Sequence, residues 1–216
     1  MNSNGPFQLI IYAKNPLPGR VKTRLAAGSN QRLAVRAYQS LVDKTLALRP
    51  NGIAVTVAAS PDFRHAYLRR AAQRHQRKIQ LQPRGDLGQR MRASIRQSIT
   101  QGYRGCIIVG TDCPMLSEQD LEQAVTALSH NDVYLLPARD GGYALIGCRG
   151  DFPAIFRQVN WSTPQLLKQT QRQIRAAGLS LQLGRTVSDV DEYPEWKKAR
   201  KLNQVAPLWR RRSETN

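Results

Sequence analysis

The chain has 216 residues, with 33 Lys and Arg against 15 Asp and Glu, for a formal charge of +18. Its 41 % hydrophobic content is enough to offset the entropy of ordering a core, which excludes a disordered chain. No run of about 18 apolar residues exists to cross a membrane, the start Met1-Asn2-Ser3-Asn4-Gly5-Pro6 lacks the basic region of a secretory signal, and Cys106, Cys113 and Cys148 lack the spacing of a disulfide framework or zinc site.

Residues 7–13, an apolar run rich in β-formers, predict a buried first strand followed by a loop over 14–25. Apolar residues at helical spacing predict a helix over 30–48, then a strand from Ile53 to Ala59. A helix over 62–75, a weak strand over 77–81, a Pro/Gly loop over 83–88 and a helix over 88–101 follow. Cys106–Val109 reads as a strand ended by Gly110-Thr111-Asp112-Cys113-Pro114. Ser117 and Asp120 form a shortened capping box for the next helix. Val133–Pro137 and Tyr143–Cys148 are strands joined at Arg139-Asp140-Gly141-Gly142. Beyond 150 the pattern predicts a helix over 163–177, a strand over 179–183 and a last helix over 193–203.

This alternation predicts an α/β fold whose mainly parallel, mixed sheet carries helices on both faces. The length predicts one domain over 1–216, with its core at about 7–203 and a basic tail at 204–216. Ligands of such sheets bind beyond the carboxyl ends of the strands, where loops 14–25, 83–90 and 110–114 fall. The cysteine usage predicts a reducing, cytoplasmic compartment.

The first loop places Lys14, Arg20, Lys22 and Arg24 after a buried strand, with Gly19 allowing close backbone approach. Such a cluster suits a diphosphate, or is a basic surface loop. Asp112 stands just past a strand, where a carboxylate holds a divalent cation that bridges phosphates, or caps a helix. Asp189 and Asp191 share a metal or cap the helix after them. Asp140 is either part of an Asp-Gly turn or a group that orients or deprotonates an acceptor hydroxyl. Trp161, beside Ser162 and Thr163, is either core next to a helix cap or a stacking platform. His65, His75 and His130 lack triad or metal spacing.

Together these motifs resemble a bacterial family of GT-A-like transferases, long described as a domain of unknown function (DUF2064) and often labelled glycosyltransferase. The resemblance runs from about residue 7 to about 200. It rests on Lys14-x-Pro16-x-Pro18-Gly19-x-Val21-Lys22-Thr23-Arg24-Leu25, Gly85-Asp86-Leu87-Gly88-x-Arg90-Met91, and Gly110-Thr111-Asp112-Cys113-Pro114. It continues through Pro137-Ala138-x-Asp140-Gly141-Gly142-Tyr143-x-Leu145-Ile146-Gly147, Trp161-Ser162-Thr163 and Asp189-Val190-Asp191. The family is similar in fold to nucleotide-sugar glycosyltransferases and to the guanylyltransferases of phospholactate and molybdenum-cofactor synthesis.

The resemblance implies a nucleotide-sugar or NTP donor held by Lys14, Gly19, Arg20, Lys22, Thr23 and Arg24, with Gly85, Asp86, Gly88 and Arg90 also on the nucleotide. It implies Mg²⁺ or Mn²⁺ on Asp112 with Asp189 or Asp191, and a small-molecule acceptor facing Asp140, Gly141, Gly142, Tyr143, Trp161, Ser162 and Thr163. One departure is that Thr111-Asp112-Cys113 replaces the DxD usual at a GT-A metal. The expected activity is glycosyl transfer from a nucleotide-activated donor, with Asp112 and Asp140 as its catalytic residues. Alternatives are nucleotidyl transfer to a phosphorylated small molecule, and a nucleic-acid-binding protein on a transferase fold. The last draws on 11 Lys and Arg against one acid over 64–104 and on Arg210-Arg211-Arg212. No nucleic-acid-binding motif accompanies that charge.

Overall fold

The computed structural model describes residues 5–202, 204 and 205; Arg210-Arg211-Arg212 and most of the basic tail lie outside the described residues. Seven strands form one sheet: β1 (Phe7–Lys14), β2 (Ile53–Ser60), β3 (Lys78–Leu81), β4 (Gly105–Val109), β5 (Val133–Pro137), β6 (Tyr143–Cys148) and β7 (Leu181–Leu183). Their order is β3-β2-β1-β4-β6-β5-β7, and β6 alone runs against its neighbours. The α/β class and the mixed, mainly parallel sheet agree with the sequence patterns.

Helices α1 (Thr23–Ala27), α2 (Gln31–Leu46), α3 (Ala66–Arg74), α4 (Leu87–Thr100), α5 (Glu118–Leu128), α6 (Leu166–Ala176) and α7 (Tyr193–Lys201) complete the order. Alternate residues of β1 feed two cores: Leu9, Ile11 and Ala13 pack with α2, α3 and α5 on one face, and Ile10 packs with α4 and α6 on the other. A third, smaller cluster joins Leu25 of α1 and Leu41 of α2 to Trp196 of α7. It ties the end of the chain to the first loop.

Caps set several helix starts. Asn30 accepts the Leu33 amide at 2.8 Å, and Ser117 and Asp120 form the expected capping box of α5. Two expected helix starts move by three residues or more. The chain is not helical until Ala66, because Asp62 bonds the Asn15 side chain and the Arg64 amide instead of starting a helix. It is not α-helical until Leu166, because Ser162 takes a left-handed backbone and Pro164 follows. Neither Ser162 nor Thr163 caps α6; the Thr163 hydroxyl donates to the Asn160 carbonyl at 2.9 Å. No helix among the described residues is long and apolar enough to cross a membrane.

The chain after β1 continues to β2 on one side, while β4 lies on the other, so the strand order reverses between β1 and β4. The carboxyl ends of these two strands, at Lys14 and at Gly110-Thr111-Asp112, frame the crevice where such a fold receives its ligand.

Candidate active site

A cavity of about 540 Å³ opens at that reversal point. Of the residues singled out from sequence, Lys14, Arg20, Lys22, Thr23, Arg24, Arg90, Asp112, Tyr143, Trp161, Ser162 and Asp191 line it. Gly19, Gly85, Asp86, Gly88, Asp140, Gly141, Gly142, Thr163 and Asp189 do not.

Lys22 is the centre of the charged wall. Its backbone is left-handed, with φ at 48°, a conformation that costs a branched-off side chain energy and persists where surrounding contacts demand it. Its side chain is only 3 % exposed, and its Nζ stands 2.5 Å from Asp112 Oδ1 and 2.8 Å from Asp191 Oδ1. Burial pulls its pKa down, but Asp112 and Asp191 outweigh burial and leave it above the ordinary lysine value. Lys22 was expected on phosphate; its ammonium is instead engaged by two carboxylates.

The loops that carry this trio are fastened together. The Val190 amide donates to the Asp112 carbonyl at 2.9 Å, and the Cys113 thiol to the Ser188 carbonyl at 3.3 Å. Glu195 accepts the amides of Asp191 and Glu192, closing a capping box on α7. The buried Tyr38 hydroxyl accepts from the Lys14 amide at 2.7 Å and from Thr111 Oγ1 at 3.3 Å, joining the ends of β1 and β4. Burial keeps that phenol protonated.

Lys14, Arg20 and Arg24 line the same wall, and none has a side-chain partner among the described residues. Five cationic and two acidic side chains line the cavity in all. The wall is therefore set to receive an anion.

Asp112 and Asp191 bring hard oxygen donors to one point where a positive charge already sits. That donor set fits a divalent cation that takes its remaining ligands from phosphate and water. Asp189 is not part of the cavity lining: burial, then Asp191 and Asp140, push it up to about 6. No group of three His, Cys, Asp or Glu side chains suited to a metal stands together among the described residues.

Several expected ligand contacts are taken up inside the protein. Asp86 caps α4: its side chain accepts the Gln89 amide at 2.8 Å while Gln89 Oε1 accepts the Asp86 amide at 3.0 Å. Gly85, at φ +111°, makes room for this box, since a Cβ would meet Gln89 Oε1 at 2.4 Å. Gly88 lies under the Trp161 indole, where a Cβ would stand 2.3 Å from Cζ2. A Cβ on Gly141 would meet the Pro164 carbonyl oxygen at 2.1 Å. Asp140 is exposed and accepts the Gly142 amide at 2.9 Å, an Asx turn outside the cavity lining.

Trp161 lines the cavity and stacks near Phe156, with ring centroids 6.3 Å apart. Its contact with Gly88 joins the segment expected to face the acceptor to the helix expected to face the nucleotide. Sequence reasoning missed Leu87 and Met91 of α4, Tyr12 of β1 and Gln82 just past β3, which also line the cavity. Gln82 offered a faint signal: an amide at the carboxyl end of a strand, just before Pro83.

Among solved structures, the chain is similar to a protein from Desulfovibrio desulfuricans G20 provisionally assigned as a nucleotide-diphospho-sugar transferase. The two share 25 % identity over 94 % of this chain and 97 % of that one, with a TM-score of 0.79. The fold is shared with CMP:2-keto-3-deoxy-manno-octonic acid synthetase complexed with CTP, at 16 % identity, 92 % and 98 % coverage and a TM-score of 0.59. It is also shared with 4-diphosphocytidyl-2C-methyl-D-erythritol synthase from Anaerococcus prevotii DSM 20548, at 9 % identity, 94 % and 98 % coverage and a TM-score of 0.61. A search of curated proteins finds no match. A family model described as an uncharacterised protein conserved in bacteria matches residues 44–163, more than half of the chain. With the nucleotide-diphospho-sugar transferase fold in place around a cationic cavity, the chain belongs to that family, DUF2064.

Proposed function

We propose that this protein is a glycosyltransferase that moves a sugar from a nucleotide-diphosphate donor to a small acceptor. The observation that carries the reading is the cavity itself. Lys14, Arg20 and Arg24, free of internal partners, line it together with an apolar wall from Tyr12, Leu87 and Met91. A nucleotide has the matching division, a planar base at one end and a diphosphate at the other. The likeness to the Desulfovibrio protein supports a sugar nucleotide over a bare triphosphate.

In such a transfer the nucleoside diphosphate departs with growing negative charge, and prepositioned cations stabilise it most. Arg20, Arg24 and Lys14 would neutralise the departing oxygens. Asp112 and Asp191 would hold a divalent metal, which supplies further charge neutralisation on the diphosphate when bound. The Lys22 ammonium, which already bridges the two carboxylates, would compete with that ion for them. Tyr143, Trp161 and Ser162 border the space left for sugar and acceptor. Asp140 receives no role here, because it stands outside the cavity lining and bonds its own turn through Oδ1.

Purified protein is incubated with Mn²⁺ or Mg²⁺ and a panel of nucleotide sugars, and free nucleoside diphosphate is measured. Release from at least one donor is expected, by slow transfer to water without an acceptor and faster with acceptor mixtures. Pyrophosphate release from a nucleoside triphosphate and a phosphorylated acceptor, with no diphosphate released from any nucleotide sugar, would reverse the assignment in favour of nucleotidyl transfer.

A further inference from the structure

The wall contributed by α4 holds one charged group, Arg90, and holds it in an unusual way. Its Nη1 donates to Gln82 Oε1 at 2.8 Å, and its Nε to the Asp86 carbonyl at 3.3 Å. Both acceptors are neutral, and no carboxylate pairs with Arg90 among the described residues.

Gln82 cannot turn away from this task. It is 7 % exposed, and its Nε2 donates to the Ala58 carbonyl at 2.9 Å and the Ala13 carbonyl at 3.3 Å. A flipped amide would set its oxygen against both carbonyls, so Oε1 is fixed toward the guanidinium. The carboxyl ends of β1 and β2 thereby orient Arg90 through one side chain. Three of its five N–H donors remain, on Nη1 and Nη2, beside Tyr12, Leu87 and Met91 in the cavity lining.

We infer that Arg90 reads the base of the nucleotide, and that the base it selects carries two adjacent acceptors on one edge. The inference rests on the nucleotide-binding reading above. A planar guanidinium fork pairs with two neighbouring acceptors, as arginine does with O6 and N7 of guanine. Cytosine offers the same pair at O2 and N3. Adenine places its amino donor beside each ring acceptor that neighbours it, and uracil separates its two carbonyls by an N–H. Those bases would leave a guanidinium donor unmatched in a largely apolar wall, where an unmatched donor is costly. Gln82 is the positioning residue for this contact.

Isothermal titration with GDP, CDP, UDP and ADP tests this, because the four share one diphosphate and differ only in base. The wild-type protein should bind GDP or CDP about ten-fold or more tightly than UDP and ADP, the scale of one bidentate base contact. Arg90→Gln should collapse that ratio while leaving UDP and ADP affinities nearly unchanged. Arg90→Lys, which keeps the charge without the fork, should lose the ratio as well. Gln82→Met should shrink the ratio without weakening UDP, which a purely structural role would not do. Circular dichroism confirms that each variant is folded. Equal affinity for all four ligands, a preference for UDP or ADP, or an equal loss on all four in Arg90→Gln would overturn base reading while the nucleotide site stands. Failure of all four to bind would overturn the nucleotide site itself.

Discussion

Replacing Lys22 by methionine keeps most of the side-chain stem and removes the one positive charge between Asp112 and Asp191. The ammonium is nearly inaccessible, whereas the two carboxylates are 53 % and 42 % exposed. Water therefore weakens both ion pairs, and burying the ammonium has already cost part of their attraction. A charge-assisted hydrogen bond contributes about 1.5–3 kcal/mol where solvent is excluded. With two such contacts discounted for screening and desolvation, a net loss of about 1–2 kcal/mol is expected, and at about 2–4 °C per kcal/mol the Tm falls by roughly 2–8 °C.

The same arrangement makes a second, opposite expectation. Two carboxylates that have lost their shared cation should accept another, so Mn²⁺ without nucleotide should raise the Tm of Lys22→Met more than that of the wild type. In the wild type the ammonium competes with the ion for the same oxygens. Differential scanning fluorimetry at low ionic strength, with and without Mn²⁺, reads both effects. An unchanged Tm together with identical Mn²⁺ responses would refute the reasoning, since it would mean that Lys22 does not occupy the point where the two carboxylates meet.

Other variants separate ligand contacts from scaffold contacts. Arg24→Ala should weaken nucleoside diphosphate binding by about 1–3 kcal/mol in titration calorimetry, because its guanidinium lines the cavity without an internal partner. Asp86→Ala should lower stability to urea by about 1 kcal/mol, the worth of an N-cap, and leave nucleotide affinity nearly unchanged. Gly88→Ala should drive the Trp161 ring from its seat, costing about 1–3 kcal/mol of stability and shifting tryptophan emission to the red. Asp120 is buried, which raises its pKa, but bonds from Arg185 and Ser117 pull it below the ordinary value. A depressed carboxylate stabilises the fold above its unfolded pKa and loses that contribution as pH falls through its folded one. Asp120→Asn should therefore be less stable than wild type at pH 7, with the difference closing toward pH 2. An equal difference at both pH values would show that geometry, not charge, sets the cost.

Much of the fold was legible because buried strands carry their own signal. β5 and β6 fall where their apolar runs begin and end, and the Ser117-Asp120 box marks the start of α5 without help from tertiary contacts. α1 was not legible. One helical turn after Pro16, Pro18 and Gly19 has no periodicity to read, and what holds it is Leu25, fully buried against α2 and α7. That contact forms only when the end of the chain folds back over the first loop.

The site was legible in its charges and misleading in its glycines. A glycine after a strand signals that something must come close, but not what. At Gly88 the close neighbour is Trp161, and at Gly141 it is Pro164, so these motifs describe how the Trp161–Pro164 segment locks onto α4 and onto the Gly141 turn. The cations raise the converse difficulty. Sequence counts Lys14, Arg20, Lys22 and Arg24 alike, yet Lys22 is paired with two acids, both far along the chain, and the others are not. The overall charge of +18 thus says little about affinity for an anion. What matters for the anion is which cations of the first loop the fold leaves without a carboxylate, and in this cavity those are Lys14, Arg20 and Arg24, whereas Arg90 is held across from them by a neutral amide.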